Sequence, residues 1–323
     1  MSLKFCIFVV RLLHMNKDSD KIAPLSEGNA VADTPLTADG KHHCAPGVRA
    51  DILSEEDIYS LAPFLRKHPK LTRWVMHQLI IDKCNRVHGT YCYETGAEFS
   101  HLLVDEAYKI KKHVYNEEVL NQFKDTPFVT VSNHPMGGLD GILLIDIIGR
   151  HRPDFKVMVN LILYHIQAMR PNFIPVDPIG SDDPAKKTVT MQGIRQAIKH
   201  VREGHPIGFF PAGAVSKVDK TLHISDREWQ SSITRLIQQF KLPVIPVYFH
   251  EHNRTWFNIL GMIDWRLRTL QLPRELFAKT GKDLHVTFGD PIMSEEIASH
   301  PDPGELGEFL RAKTYGLKGK YHD

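Results

Sequence analysis

From about residue 127 to 290, short apolar runs alternate with longer stretches of helical period. Runs rich in β-branched and aromatic residues predict strands near 127–132, 155–159, 172–177, 206–211, 243–249 and 284–288. The spacing between them predicts helices over 140–150, 160–170, 184–203, 227–240 and part of 294–318. The 184–203 stretch places Val189, Ile194, Ala197, Ile198 and Val201 on a helical period and closes at Gly204. This alternation predicts an α/β fold: a central, largely parallel sheet flanked by helices and joined by right-handed crossovers.

Upstream the pattern is helical. Ser54-Glu55-Glu56-Asp57 resembles a helix start, with acids at the positive end of the dipole. Ile58, Leu61, Phe64 and Leu65 follow on one face. After Pro69 a second helix carries Leu71, Trp74, Val75, Leu79 and Ile80, and Glu94–Tyr115 reads as another. These predict a helical appendage packed on the main domain. Trp74 with Arg66, Lys67, Lys70 and Arg73 also suits a membrane contact at headgroup level. Residues 16–50 are rich in Asp, Ser, Gly, Pro and Ala and read as a flexible arm. The expected division is an N-terminal arm over 1–50, a helical segment over 51–120 and an α/β domain over 121–323.

The stretch that carries chemistry is Phe128–Gly141, FVTVSNHPMGGLDG. A buried strand empties into Asn133-His134-Pro135, passes Gly137-Gly138 and reaches Asp140 at the head of an apolar helix. Sites in such sheets gather at the carboxyl ends of strands, and His134, Asp177, Gly213 and His250 all fall there. A histidine side chain can take and return a proton at working pH, which suits His134 to proton transfer. Asp140 can accept from the other ring nitrogen and fix the tautomer. The bland reading is a surface histidine beside a helix N-cap.

Downstream stretches decide between the two. Asn133-His134-Pro135 through Asp140 resembles the first motif of the glycerolipid acyltransferases related to lysophosphatidate acyltransferase. Asn172–Asp177, Phe209–Gly213 and Val244–Val247 are similar to the second, third and fourth motifs, and Val286–Ile292 to the closing strand. Four stretches in order are far more specific than one. The resemblance implies direct acyl transfer with His134 as general base and Asp140 as its partner. It implies substrate contacts from Asn133, Gly137, Gly138, Asp177, Phe210, Pro211, Gly213, Ser216 and Lys217, and an oxyanion held by amides near Gly213–Val215. No cofactor or metal is expected. The donor is an acyl carrier protein or coenzyme A thioester, the acceptor a lipid met at a membrane surface.

The departures refine this. Five residues separate His134 from Asp140 where the motif usually has four, and Gly137-Gly138 can absorb the extra one. The His-Pro-x-Gly-Gly-x-Asp-Gly form looks most like the bacterial branch that O-acylates N-acyl amino acids to make ornithine or glycine lipids. Ala212 stands where the third motif carries Glu. Pro178 and Val215 replace the basic residues that would grip an acceptor phosphate, which leaves Lys217 as the candidate for a carboxylate. A lysophosphatidate or glycerol-phosphate acyltransferase, with Arg170 or Arg254 on the phosphate, and a catalytically weakened lipid-binding protein stay open as alternatives.

Composition changes little. The 323 residues are 42% hydrophobic and 24% charged, with net charge +2 and scattered basic residues, which weakens a nucleic-acid reading, and no such partner is expected. There is no Gly-x-Ser-x-Gly elbow, P-loop or dinucleotide fingerprint. His42, His43 and Cys44, or His250 and His252, are the weak metal candidates. The four cysteines read as reduced thiols of a cytoplasmic protein. Leu3–Leu13, apolar but interrupted by Lys4 and Arg11, is too short to span a bilayer; a signal-like segment, an interfacial anchor and a stretch ahead of a start at Met15 stay open. The expected location is peripheral, on the inner face of the cytoplasmic membrane.

Overall fold

The structure, a computed structural model, describes residues 43–177, 184–218, 223–263 and 268–320. Most of the predicted arm, including Leu3–Leu13 and His42, lies outside these residues, as does Pro178. Ordered contacts begin before Asp51: Ala45 N donates to Cys92 O and Arg49 N to Gln167 Oε1. Cys44 is also disulfide-bonded to Cys92, with Cα atoms 4.6 Å apart. The reading of four reduced thiols is therefore corrected for this pair, and with it goes the cysteine argument for a reducing compartment. The pairing joins residues 48 apart through the folded chain, which no local sequence cue announces.

The appendage consists of α1 (Glu55–Leu61), α2 (Pro69–Gln78), α3 (Ile81–Tyr91) and α4 (Gly96–Leu102). Ser54 and Asp57 form a reciprocal capping box at the head of α1. Helix α2 stops before Leu79 because Ile80 takes a left-handed conformation, φ +60°, so Leu79 and Ile80 lie in a break and not in the helix. Val75 and Leu79 are buried against Leu270, and Arg274 donates to Gln78 O, which docks the appendage on the main domain. Trp74 is left 47% exposed, and Arg66 and Arg73 beside it pair with Glu56 and Glu55.

The helix expected over 94–115 ends early. After α4 the chain makes a π-turn at Leu103–Ala107 and then forms strand β1 (Lys111–Tyr115). Its partner lies some 170 residues away in the chain, which is why a local period misses it. The sheet thus begins ahead of the expected boundary at 121. Then come β2 (Val129–Ser132), α5 (Gly138–Gly149), β3 (Lys156–Asn160), β4 (Phe173–Val176), α6 (Pro184–Arg202) and β5 (Ile207–Phe209). A two-stranded ribbon, β6 (Lys217–Val218) and β7 (Ile224–Ser225), precedes α7 (Ser231–Phe240) and β8 (Val244–Phe249). The chain closes with α8 (Thr255–Ile263), α9 (Leu272–Phe277), β9 (Asp283–Phe288), α10 (Ser294–Ala298) and α11 (Pro303–Tyr315). In place of the helix expected over 160–170, Leu161–His165 and Gln167–Asn172 form two short 3₁₀ turns. Pro171 blocks a regular helix there, and Arg170 Nε ties back to Tyr164 O. Pro301 and Pro303 divide the last predicted helix in two.

The seven-stranded sheet runs β1-β9-β8-β2-β5-β3-β4. Strands β8, β2, β5, β3 and β4 are parallel; β9 is antiparallel to β8 and carries β1 parallel to itself. The α/β class and the largely parallel sheet are as the alternation implied. One face packs on α5, whose Leu143, Leu144, Ile145 and Ile148 are fully enclosed, and on α4. The other packs on α6, α7 and α11. Each such side chain contributes about 1.5–3 kcal/mol by burial, which holds the strand ends rigidly where β2 hands over to α5. Among the described residues no helix is long and apolar enough to cross a membrane.

Candidate active site

Strand β2 ends at Ser132, and the next two side chains do different work. Asn133 is buried and makes a two-way clamp on β8: Nδ2 donates to Phe249 O at 2.9 Å, and Oδ1 accepts from Phe249 N at 2.8 Å. That uses both ends of its amide on backbone, so the side chain fastens the loop to β8. His134 is left free to project, with 18% of its side chain exposed.

Asp140 lies at the third position of α5, fully buried. Its Oδ2 accepts from Met136 N and Gly137 N, both at 2.9 Å, and sits 3.0 Å from His134 Nδ1. The imidazole contact is close enough for an ion pair but falls short of an aligned hydrogen bond, so Nδ1 has no well-directed partner. Catalytic hydrogen bonds are often slack without substrate and tighten when it binds. Burial pushes the Asp140 carboxyl up from the ordinary range; the His134 ring and the two amides oppose that. The positive end of α5 helps in the same direction as the amides.

The extra residue between His134 and Asp140 is absorbed at Gly137. Its φ is +80°, and a Cβ there would meet Leu272 Cδ2 at 2.8 Å and Val215 Cγ2 at 3.2 Å. Only glycine fits this turn without strain. The changed spacing therefore leaves the pair within contact distance.

A cavity of about 490 Å3 opens in front of His134. Met158, Leu163, Phe173, Val176, Phe209 and Phe210 make much of its wall, while Asn160, Asp177 and Gln230 supply polar atoms. Its size and largely apolar lining suit an extended hydrocarbon ligand. Of the residues expected at the substrate, Gly137, Gly138, Asp177, Phe210 and Gly213 line it. Phe210 also lays its ring on the His134 imidazole, with centroids 4.3 Å apart.

Pro211, Ser216 and Lys217 do not line it. Pro211 O accepts from Gln230 N and so fastens α7. Ser216 is buried, with its hydroxyl on Asp226 Oδ1 at 2.5 Å and its amide on His134 O at 2.8 Å. Lys217 is exposed on the β6 ribbon, away from the cavity, because the chain leaves the sheet there. Gly213 N is already committed to Phe210 O. Among the described residues the amides of Ala214 and Val215 make no such bond. Ala212, where the family pattern has Glu, is buried in the core. Arg170 is held by Tyr164 O, and Arg254 by Glu275 at 2.9 Å.

Several participants carry no sequence signal. Asp226 is buried and accepts from His134 N at 3.1 Å, from Ser216 Oγ and from Trp229 Nε1 at 3.2 Å. It holds the backbone of the histidine from 92 residues downstream. Arg268 braces the facing loop by donating to Val215 O and Ser216 O. Arg235, on α7, reaches the cavity rim and makes no ion pair among the described residues.

The metal alternatives change as well. Cys44 is bound to Cys92 and is no ligand. Among the described residues the one cluster of His and carboxylates at ligand spacing is His101, Asp105 and Asp146, and Lys112 Nζ already lies 2.7 Å from Asp105 and 2.5 Å from Asp146.

A family model described as "Acyltransferase" matches residues 53–322. Over 204 residues the chain is 29% identical to a lyso-glycine lipid O-acyltransferase of Bacteroides thetaiotaomicron, covering 60% of this chain and 71% of that protein. A protein of the same name from Phocaeicola vulgatus is 28% identical over 195 residues, 58% and 67% of the two chains. Among solved structures, the 1-acyl-sn-glycerophosphate acyltransferase PlsC of Thermotoga maritima aligns over 80% of this chain and 94% of its own, with a TM-score of 0.46 and 14% identity. Matched by the family model over most of its length, the chain belongs to the acyltransferase family and is an enzyme of that class.

Proposed function

We propose that the enzyme is an O-acyltransferase that moves a fatty acyl group from a thioester to the hydroxyl of a lyso-aminolipid, a hydroxylated N-acyl amino acid such as a lyso-glycine or lyso-ornithine lipid. The observation that carries this is the His134–Asp140 pair at the mouth of a largely apolar cavity. The names of the two bacterial relatives support the acceptor class.

The acyl chain occupies the cavity with its thioester carbonyl at the mouth. With Nδ1 turned to Asp140, Nε2 is the nitrogen that takes the acceptor's hydroxyl proton as the oxygen attacks the carbonyl carbon. Asp140 supports the imidazolium. The amides of Ala214 and Val215 stabilise the oxyanion. Collapse breaks the C–S bond, and the thiolate leaves with the proton returned by His134. No covalent enzyme intermediate forms, and no step calls for a cofactor.

Arg235 suits the phosphate of phosphopantetheine, which acyl carrier protein and coenzyme A thioesters share. Among the described residues it is the one arginine lining this cavity, which favours an acceptor without phosphate. Contact with a membrane through the exposed Trp74 face fits a lipid acceptor. The weakened-protein alternative loses one support, since the altered spacing leaves histidine and aspartate 3.0 Å apart.

The test is lipid mass spectrometry of a bacterial host expressing the wild type or His134→Ala. A diacylated aminolipid made only by the wild type is expected. Turnover retained by a folded His134→Ala protein would refute the mechanism, and consumption of phospholipid precursors would refute the acceptor class.

A further inference from the structure

A second cavity, of about 310 Å3, lies on the other flank of the catalytic loop. Asn133 and Pro135 belong to its wall, whereas His134 between them belongs to the apolar cavity. One loop is therefore the partition between the two, and their chemistry differs. Polar side chains dominate the second: Tyr248, His250, Glu251, His252, Tyr315 and Lys318.

The charges sort themselves on inspection. Glu251, the one carboxylate on this wall among the described residues, is committed to His285, with Oε1 2.7 Å from Nδ1 and Oε2 accepting from the amide at 2.8 Å. His250 is pushed down to about 4 by burial and is neutral at working pH, its Nε2 2.8 Å from Thr287 Oγ1. His252 Nδ1 donates to Asn253 O, 3.2 Å away. Lys318, just past the end of α11, makes no ion pair among the described residues. The wall thus carries one ammonium, Lys318, beside the engaged Glu251 carboxylate and the His223, His250 and His252 imidazoles, and no guanidinium fork among the described residues. That balance matches a single carboxylate better than a dianionic phosphate, for which bidentate arginines are the usual partners.

We propose that this second cavity binds the carboxylate head group of the acyl acceptor, with Lys318 as the residue that reads its charge. The inference rests on the acceptor class proposed above. A donor acyl chain in the apolar cavity and a head group in the polar one bring the thioester carbonyl and the acceptor hydroxyl together at His134, on the loop between them. Specificity for the amino acid then lies at the carboxyl end of β8 and beside the C-terminal helix, and not at Lys217.

The test compares two acceptors with the full-length protein: an N-(3-hydroxyacyl)glycine and its neutral N-methylamide. The wild type is expected to prefer the carboxylate at least tenfold in kcat/KM. In Lys318→Ala that preference should collapse towards one through a raised acceptor KM, and Lys318→Arg should restore part of it. A preference that survives in Lys318→Ala, or a rise in thioester KM instead, overturns the assignment. A readout independent of turnover separates this from the proposed reaction. N-acetylglycine should shift the His252 imidazole resonances in the wild type and His134→Ala proteins but not in Lys318→Ala. Absence of that shift in the wild type overturns the cavity assignment even if acyl transfer is normal. A shift without acylation of either acceptor would uphold the cavity and remove the acceptor reading.

Discussion

Asp140→Asn separates what the aspartate does for catalysis from what it does for the fold. One oxygen, Oδ2, faces Met136 N, Gly137 N and His134 Nδ1 together. Two backbone donors demand an acceptor at that point, so the new amide oxygen takes the Oδ2 place and the NH2 group turns away from the ring. The imidazole keeps its tautomer, and only the negative charge is lost. At 3.0 Å and an effective dielectric of about 20, two full charges interact by about 5 kcal/mol. If the ring carries roughly half a charge in the transition state, the loss is about 3 kcal/mol, or ~10²-fold in kcat. Thermal stability should hold or rise slightly, because the buried carboxyl, whose pKa burial has raised, disfavours the folded state above that pKa. Asp140→Ala should behave differently: both amides lose their acceptor, at about 1–2 kcal/mol of stability. Initial rates with a labelled acyl thioester, run beside thermal denaturation, test both. Retention within fivefold by Asp140→Asn would show that the charge does no catalytic work. A loss beyond ~10⁴-fold in a folded protein would show that the tautomer reverses, against the geometry.

Asp226→Ala should remove the common acceptor of His134 N, Ser216 Oγ and Trp229 Nε1, lowering stability by about 3 kcal/mol, read as a drop in Tm of roughly 4–5 °C; an unchanged Tm would refute its role as the loop's anchor. His200, buried with Nε2 on Pro206 O, is pushed down to about 4 by desolvation. Its folded value lies below its unfolded one, so its contribution to stability is complete above about pH 6.5 and is lost as pH falls towards 4; denaturant midpoints should fall over that window, and His200→Gln should flatten the decline. The Cys44–Cys92 bond closes a loop of 48 residues, for which chain entropy gives about 4 kcal/mol; reductant should lower Tm, and thiol titration of the denatured protein should find two of its four cysteines free. Four free thiols and no effect of reductant would restore the reading of reduced cysteines.

The sheet was legible because each strand of the parallel core is a compact apolar run whose burial on both faces leaves a local mark. Phe128–Ser132 and Val244–Phe249 need no knowledge of their neighbours to be read as strands. Lys111–Tyr115 is the counterexample. With Lys111, Lys112 and His113 it has no apolar run, and it becomes a strand only because β9 offers an edge. The same holds for Cys44 and Cys92: nothing near either residue foretells the other. Pattern reading fails wherever the decisive partner is remote and the local residues are indifferent.

The site divides along the same line. His134, Gly137 and Asp140 lie within one turn of strand and helix, so their spacing encodes their contact, and even the extra residue could be assigned to the glycines before the geometry was known. Asn133 and Ser216 stand at equally conspicuous positions but face backbone and Asp226, because the loop that presents a histidine must itself be fixed. A motif records which residues accompany the chemistry without recording which of them meet the substrate and which hold the loop still. Asp226 shows the cost of that silence. It bonds the amide of His134 and is as necessary to the histidine's position as Asp140 is to its ring. Yet it sits in an ordinary polar stretch, and only the fold brings it to the loop. If Asp226→Ala slows turnover as much as Asp140→Asn while also lowering Tm, the anchoring of the loop, and not the dyad alone, sets the rate.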